Sequence, residues 1–179
     1  MAQQKLARGG PETVDEVDGC GGGVLSALNL RLAVNADIPA MHNIRKSVTE
    51  NILSVSSALG HDDYRPFLVT DGETWIGEVD GQMAGFGAID QCNSSIWALF
   101  VAPEFESQGV GKALLNKLLA RAKSLGLTSL ALTTTPGTRA ERFYIRQGWQ
   151  KKGAAPNGEV KLEFSVEGFY PTSSSGLKK

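Results

Sequence analysis

One segment constrains this chain more than any other. Val110, Leu114, Leu118, Ala122 and Leu125 recur at helical spacing, with Leu115 and Leu119 alongside. Lys112, Lys117, Arg121 and Lys123 cover much of the remaining surface, and Gly126 follows as a stop. An apolar stripe this wide must be buried against another layer. The flanks supply that layer: Ser95–Val101 reads as a strand closed by Pro103, and Leu127–Thr135 reads as the next strand. The helix is therefore the crossover of a strand–helix–strand unit, entered through Gln108-Gly109-Val110-Gly111-Lys112.

Other elements fall around this unit. Leu30, Leu32 and Val34 alternate with Arg31 and Ala33 as in a strand. Asp37 offers an N-cap to a helix in which Ile38, Met41, Ile44 and Val48 recur, with Pro39 near its start. A second helical segment is expected over Glu50–Leu59, ended by Gly60. Trp75–Val79 and Met83–Ile89 read as strands joined by the hairpin signal Asp80-Gly81. Thr138–Gln147 reads as a helix closed by Gly148, and strands follow from Trp149 and over Val160–Val166. This order predicts an α/β chain with a mixed sheet and helices on its faces.

Composition sets outer bounds. The 179 residues suit one domain that buries a core without disulfides or structural metal. Residues 1–28, with Gly19-Cys20-Gly21-Gly22-Gly23 and an acidic stretch, read as a flexible tail, as do residues 167–179. The domain proper is expected over residues 29–166. A net charge of −1 offers no global field for nucleic acid or an anionic membrane. Cys20 and Cys92 belong to no CxxC or Cys/His cluster, so the pattern argues against zinc and points to no metal. No apolar run approaches membrane-spanning length, and a cytoplasmic setting is expected.

The glycine turn carries the chemistry. A helix start leaves about four backbone N–H groups unpaired and carries about half a positive charge. Glycines at 109 and 111 would let a bulky anion approach those amides. GxG alone is equally well explained by a tight turn needing small residues. The segment has no GxxxxGK[ST], and Leu114 stands where a dinucleotide fingerprint needs its third glycine.

Two longer runs resolve this. Leu99-Phe100-Val101-x-Pro103 with Glu106-Ser107-Gln108-Gly109-Val110-Gly111-x-x-Leu114-Leu115 resembles the acetyl-CoA-binding motif of the GNAT superfamily of N-acetyltransferases. Ala140-Glu141-Arg142-Phe143-Tyr144-Ile145-Arg146-Gln147-Gly148-Trp149 resembles that family's second signature. The resemblance implies a mixed, mostly antiparallel sheet of six to seven strands with about four helices on both faces. It implies acetyl-CoA as cosubstrate. Phe100 and Val101 would offer backbone groups to the thioester and pantetheine, and Gln108, Gly109, Val110, Gly111 and Lys112 would hold the pyrophosphate, with Ala113 the next amide in line. Lys112 either adds charge to a phosphate or stays solvated. Glu106 stands where the family has Gln or Arg, so its side chain is expected to point to solvent. Gly137 replaces an Asn common in relatives.

Transfer to an amine needs a neutral nucleophile, a donor to the oxyanion and a proton for the leaving thiolate. The resemblance places Tyr144 as proton donor, packing between helix and sheet being the alternative. No titratable side chain lies on Ser95–Val101, which leaves Asp90, Glu50 or water as the base. His42 lies off the apolar stripe of its helix and is expected at the surface. Trp97 fits an aromatic-walled acceptor site or plain sheet packing. The acceptor is read as a small-molecule or peptide amine, with a homodimer left open.

Overall fold

The structure is a computed structural model that describes residues 27–48, 59–70 and 72–170. The strands are β1 (Leu28–Leu32), β2 (Gly72–Val79), β3 (Gln82–Asp90), β4 (Ser95–Val101), β5 (Ser129–Thr134), β6 (Gln150–Ala154) and β7 (Val160–Ser165). The helices are α1 (Ile38–Ser47), α2 (Pro66–Val69), α3 (Val110–Ser124) and α4 (Arg139–Arg146). The strands form one sheet in the order β1-β2-β3-β4-β5-β7-β6, antiparallel throughout except for the parallel pair β4–β5. The expected second helix falls largely on residues 49–58, outside the described residues. Gly60 instead precedes a short 3-10 turn, His61–Tyr64, which leads into α2.

Local chemistry explains the framework. Asp80 and Gly81 both adopt positive φ (51° and 79°), the turn that joins two strands with the sheet's own twist. Asp37 precedes α1, but its carboxylate reaches backward rather than capping the helix. It accepts from the Val34 amide at 2.8 Å and from Arg31 at 2.7 and 2.8 Å. Ile38, Met41 and Ile44 of α1 are buried with Phe86, Ala88, Ala98 and Phe100. The stripe of α3 is buried on the opposite face of the sheet. There β2 and β3 present Gly77 and Gly87. A Cβ at Gly77 would stand 3.1 Å from Val110, and one at Gly87 would stand 3.0 Å from Leu118. The missing side chains let α3 lie close to the sheet and fix its N-terminus beside the end of β4.

Past β7 the chain stays packed. Phe169 joins the core, and its carbonyl accepts from Lys123 at 2.6 Å, so order extends beyond the expected boundary at residue 166.

Candidate active site

Two irregularities of β4 create the site. The first is its pairing with β5, which consists of one register pair, Ser95 with Ala131. Beyond that point the two strands part, and the second half of β4 keeps hydrogen-bonding groups with no strand beside them. Parity tells which. Ala102 donates to Ala84 of β3 at 2.8 Å, and alternate residues of an antiparallel ladder face the same way. Phe100 therefore turns its backbone toward Phe86, while Leu99 and Val101 turn theirs into the gap. Sequence reasoning named Phe100 and Val101 for backbone contact. Phe100 lines the cleft although its backbone faces β3, and Leu99, which that reasoning omitted, turns its backbone into the gap.

The second irregularity is a bulge. Ala88 pairs with Ala98 but Ile89 pairs with Ile96, leaving Trp97 as the extra residue. Trp97 thereby shares a face with Ala98 and Phe100, the face covered by α1. It stacks on Phe67 (centroids 4.0 Å, 19° between planes) and meets Tyr64 edge-on at 5.3 Å.

The gap opens into a cleft of about 570 Å³. Leu99, Phe100 and Val101 line it from β4; Gly109, Val110, Gly111 and Lys112 from the start of α3; and Phe143 and Tyr144 from α4. Helix α4 is set by Thr138, whose hydroxyl accepts from the Glu141 amide at 3.2 Å, and Glu141 in turn accepts from the Gly137 amide at 2.7 Å. The Lys151 ammonium, 2.6 Å away, and that amide hold the Glu141 carboxyl below its ordinary value.

The glycine turn has the geometry of an anion cradle. Ser107 and Gly109 lie in the left-handed region, at φ 63° and 84°. Helix α3 begins its hydrogen bonding when Ala113 donates to Gly109 at 3.0 Å. The amides of Gly109, Val110, Gly111 and Lys112 precede that first bond, and among the described residues none is paired with backbone. Ala113 has its own amide spent, so the run ends at Lys112. Gln108 sits outside the cleft lining, its side chain donating to the Glu104 carbonyl at 3.1 Å. A Cβ at Gly111 would stand 3.4 Å from Val101 and 3.8 Å from Phe143, across the passage between turn and gap.

Charge at the turn departs from expectation. Glu106 does not simply point to solvent: it lines the cleft, where its carboxylate is held by Arg139. The pair offsets what would otherwise be repulsion toward a phosphate. Arg139 was missed in the sequence, although a cation in the first turn of a helix runs against the macrodipole and could have drawn notice.

Tyr144 is buried, packed edge-on against Phe143 and Trp149, and it lines the cleft. Burial pushes its phenol above the ordinary value, which keeps the proton on. Tyr144 thus packs between helix and sheet and also lines the cleft. Asp90 does not fit a base: its carboxylate accepts from Asn93 at 3.0 and 2.8 Å in the β3–β4 turn, apart from the cleft. Glu50 lies outside the described residues. His42 is half-buried rather than at the surface. It meets His61 edge-on at 5.0 Å and lies 3.4 Å from the Tyr64 hydroxyl, and desolvation holds its pKa down.

These features have known counterparts. The family model described as Acetyltransferase (GNAT) family matches residues 38–149, more than half of the chain. The chain belongs to the GNAT family of acetyltransferases. An uncharacterized N-acetyltransferase of Methanocaldococcus jannaschii is 34% identical over 89 residues, 44% of this chain and 39% of that protein. L-2,4-diaminobutyric acid acetyltransferase of Nocardia farcinica is 32% identical over 88 residues, 46% of each chain. The match thus spans less than half the length of either curated relative. Among solved structures, PaiA N-acetyltransferase from Thermoplasma acidophilum in complex with coenzyme A aligns with a TM-score of 0.63 at 13% identity, covering 78% of this chain and 99% of that one. That likeness is one of fold: a seven-stranded, mostly antiparallel sheet flanked by helices. No helix among the described residues is long and apolar enough to cross a membrane.

Proposed function

We propose that this GNAT acetyltransferase moves the acetyl group of acetyl-CoA to a primary amine of a small molecule or peptide, by direct attack within a ternary complex. The observation that carries the reading is the continuous cleft joining four unclaimed amides at the start of α3 to the exposed edge of β4 and then to Tyr144. The amides of Gly109 to Lys112 would hold the pyrophosphate, with Lys112 and Arg139 adding charge at its margin. The edge of β4 at Leu99 and Val101 would pair with the pantetheine arm as an added strand does. The amide of one of these residues would meet negative charge developing on the thioester oxygen.

Acetyl-CoA supplies an activated thioester carbonyl. Tyr144, kept protonated by burial, would give its proton to the departing sulfur. Among the described residues the cleft lining contains no cysteine, and Cys92 lies exposed in the β3–β4 turn, which favours direct attack over a cysteine acyl-enzyme. Among the described residues the lining offers no unpaired carboxylate or imidazole, and the amine's proton would pass to water or to Glu50, which lies outside them. The Nocardia relative's name makes a diamino acid one reasonable acceptor to test.

Initial-rate kinetics test the reading. With acetyl-CoA and an accepted amine varied together, double-reciprocal lines intersect, whereas parallel lines would indicate an acyl-enzyme. Tyr144→Phe lowers kcat by about 10²-fold while acetyl-CoA affinity stays near wild type. Because the phenol is raised above its ordinary 10.0, the wild-type profile shows no loss of activity from Tyr144 ionisation below that pH. Unchanged turnover in Tyr144→Phe would remove the residue from the mechanism.

A further inference from the structure

On the α1 face of β4, next to the cleft, a cation stands without an anion among the described residues. Arg45 extends from α1 over two aromatic rings, its guanidinium carbon 5.0 Å from the Phe100 centroid and 5.2 Å from that of Trp97. Its Nε and one terminal nitrogen are shielded from solvent and have no hydrogen-bond partner. Among the described residues no carboxylate lies within ion-pair distance of it. Its polar neighbour is the hydroxyl of Tyr64, itself buried. Arginines in such positions are normally paired, because a desolvated guanidinium with empty donors is costly. Stacking on aromatic faces recovers part of that cost and leaves the donor edge of the planar fork available.

The location gives the empty donors a meaning. Phe100, whose ring Arg45 covers, also lines the cleft, as do Ser47, the last residue of α1, and Val48 just after it. The β4 bulge puts Trp97 on this face, where Phe67 and Tyr64 complete an aromatic wall. The His61–Tyr64 turn adds His61, edge-on to His42 at 5.0 Å, and the exposed pair Arg65–Asp62, while among the described residues no acid pairs with Arg45. An entering molecule would meet an apolar wall with one fixed, bidentate anion receptor.

We propose that Arg45 is a specificity residue that binds a carboxylate of the acceptor, so that the preferred acceptor is an amino acid or related amine bearing a carboxylate. The inference rests on the acetyl-transfer reading and names its acceptor class. A planar guanidinium matches a carboxylate through two parallel N–H···O bonds, which would fix the acceptor's orientation as well as its charge.

Two matched pairs of amines test it: L-phenylalanine against phenethylamine and L-ornithine against putrescine, each pair differing by the carboxylate alone. Wild type should favour the carboxylate-bearing member of at least one pair by tenfold or more in kcat/KM. Arg45→Met should bring that ratio close to one, mainly by raising KM, and Arg45→Lys should fall between. Equal rates across both pairs in wild type, or a ratio that Arg45→Met leaves in place, would overturn the proposal. A second readout is independent of turnover. Intrinsic tryptophan fluorescence is followed as phenylacetate is added into the millimolar range. A saturable change in wild type that is lost in Arg45→Met supports the anion site, and no saturable change in wild type sinks it. If phenylacetate titrates wild type but not Arg45→Met while no amine of a broad panel is acetylated, the acetyl-transfer reading fails and the anion site stands.

Discussion

At the residue scale, Glu106 is the most informative departure from the family's pattern. A carboxylate at the rim of an anion site is tolerable because Arg139 holds it, and Arg139 in turn is drawn from a phosphate it could otherwise contact. Both partners are partly exposed, so their mutual attraction is screened and modest. The consequence for binding is directional. Glu106→Gln removes one negative charge and releases Arg139, and should tighten acetyl-CoA binding several-fold at low salt, a gain that shrinks as ionic strength rises. Calorimetric titration at two salt concentrations checks this. An unchanged or weaker affinity would mean that the phosphates lie away from Glu106. The ion pair could not be read from the sequence, because the two residues are 33 positions apart and meet only when α4 docks beside the turn.

At the element scale, the two glycines that open α3 serve different ends. Gly109 is required by its backbone, at φ 84°, and a Cβ there would meet open space. Gly111 has helical backbone and is constrained by its neighbours, Val101 and Phe143. Gly109→Ala should therefore cost about 1 kcal/mol of stability. Gly111→Ala should leave stability near wild type, since alanine favours a helix. It should instead weaken acetyl-CoA binding by narrowing the passage beside Val101. Thermal melts paired with cofactor titration separate the two. Equal effects on both quantities would contradict this division. Elements with strong periodicity were legible in sequence: β4 has the expected bounds, and α3 begins at Val110 and closes before Gly126. The hairpin turn at Asp80-Gly81 was legible for the same reason, since few residues tolerate its backbone. The bulge at Trp97 was not, because nothing in an apolar run marks which residue a partner strand will skip. That one skipped residue decides which side chains of β4 face α1, and with them the surroundings of Arg45.

At the scale of the whole molecule, the fold works by leaving one pair of strands unfinished. The β4–α3–β5 crossover makes β4 and β5 neighbours, yet they share one register pair before parting. The open edge, the start of α3 and the cleft-facing side of α4 all meet at that parting. Sequence motifs marked the turn and Tyr144, and the structure brings both to the cleft. The motifs said little about the opposite side of β4, where specificity is argued to lie, because Arg45, Tyr64, Phe67 and Trp97 come together only in three dimensions. Acetyl transfer from acetyl-CoA to an amine is what this cleft is proposed to carry out. Its most direct measurement is mass spectrometry of a mixed panel of amines and amino acids after incubation with the protein and isotopically labelled acetyl-CoA. At least one amine should gain the labelled acetyl group, an equal amount of CoA thiol should be released, and Tyr144→Phe should slow both. Saturable acetyl-CoA binding with no labelled amine and no thiol release across the panel would contradict it.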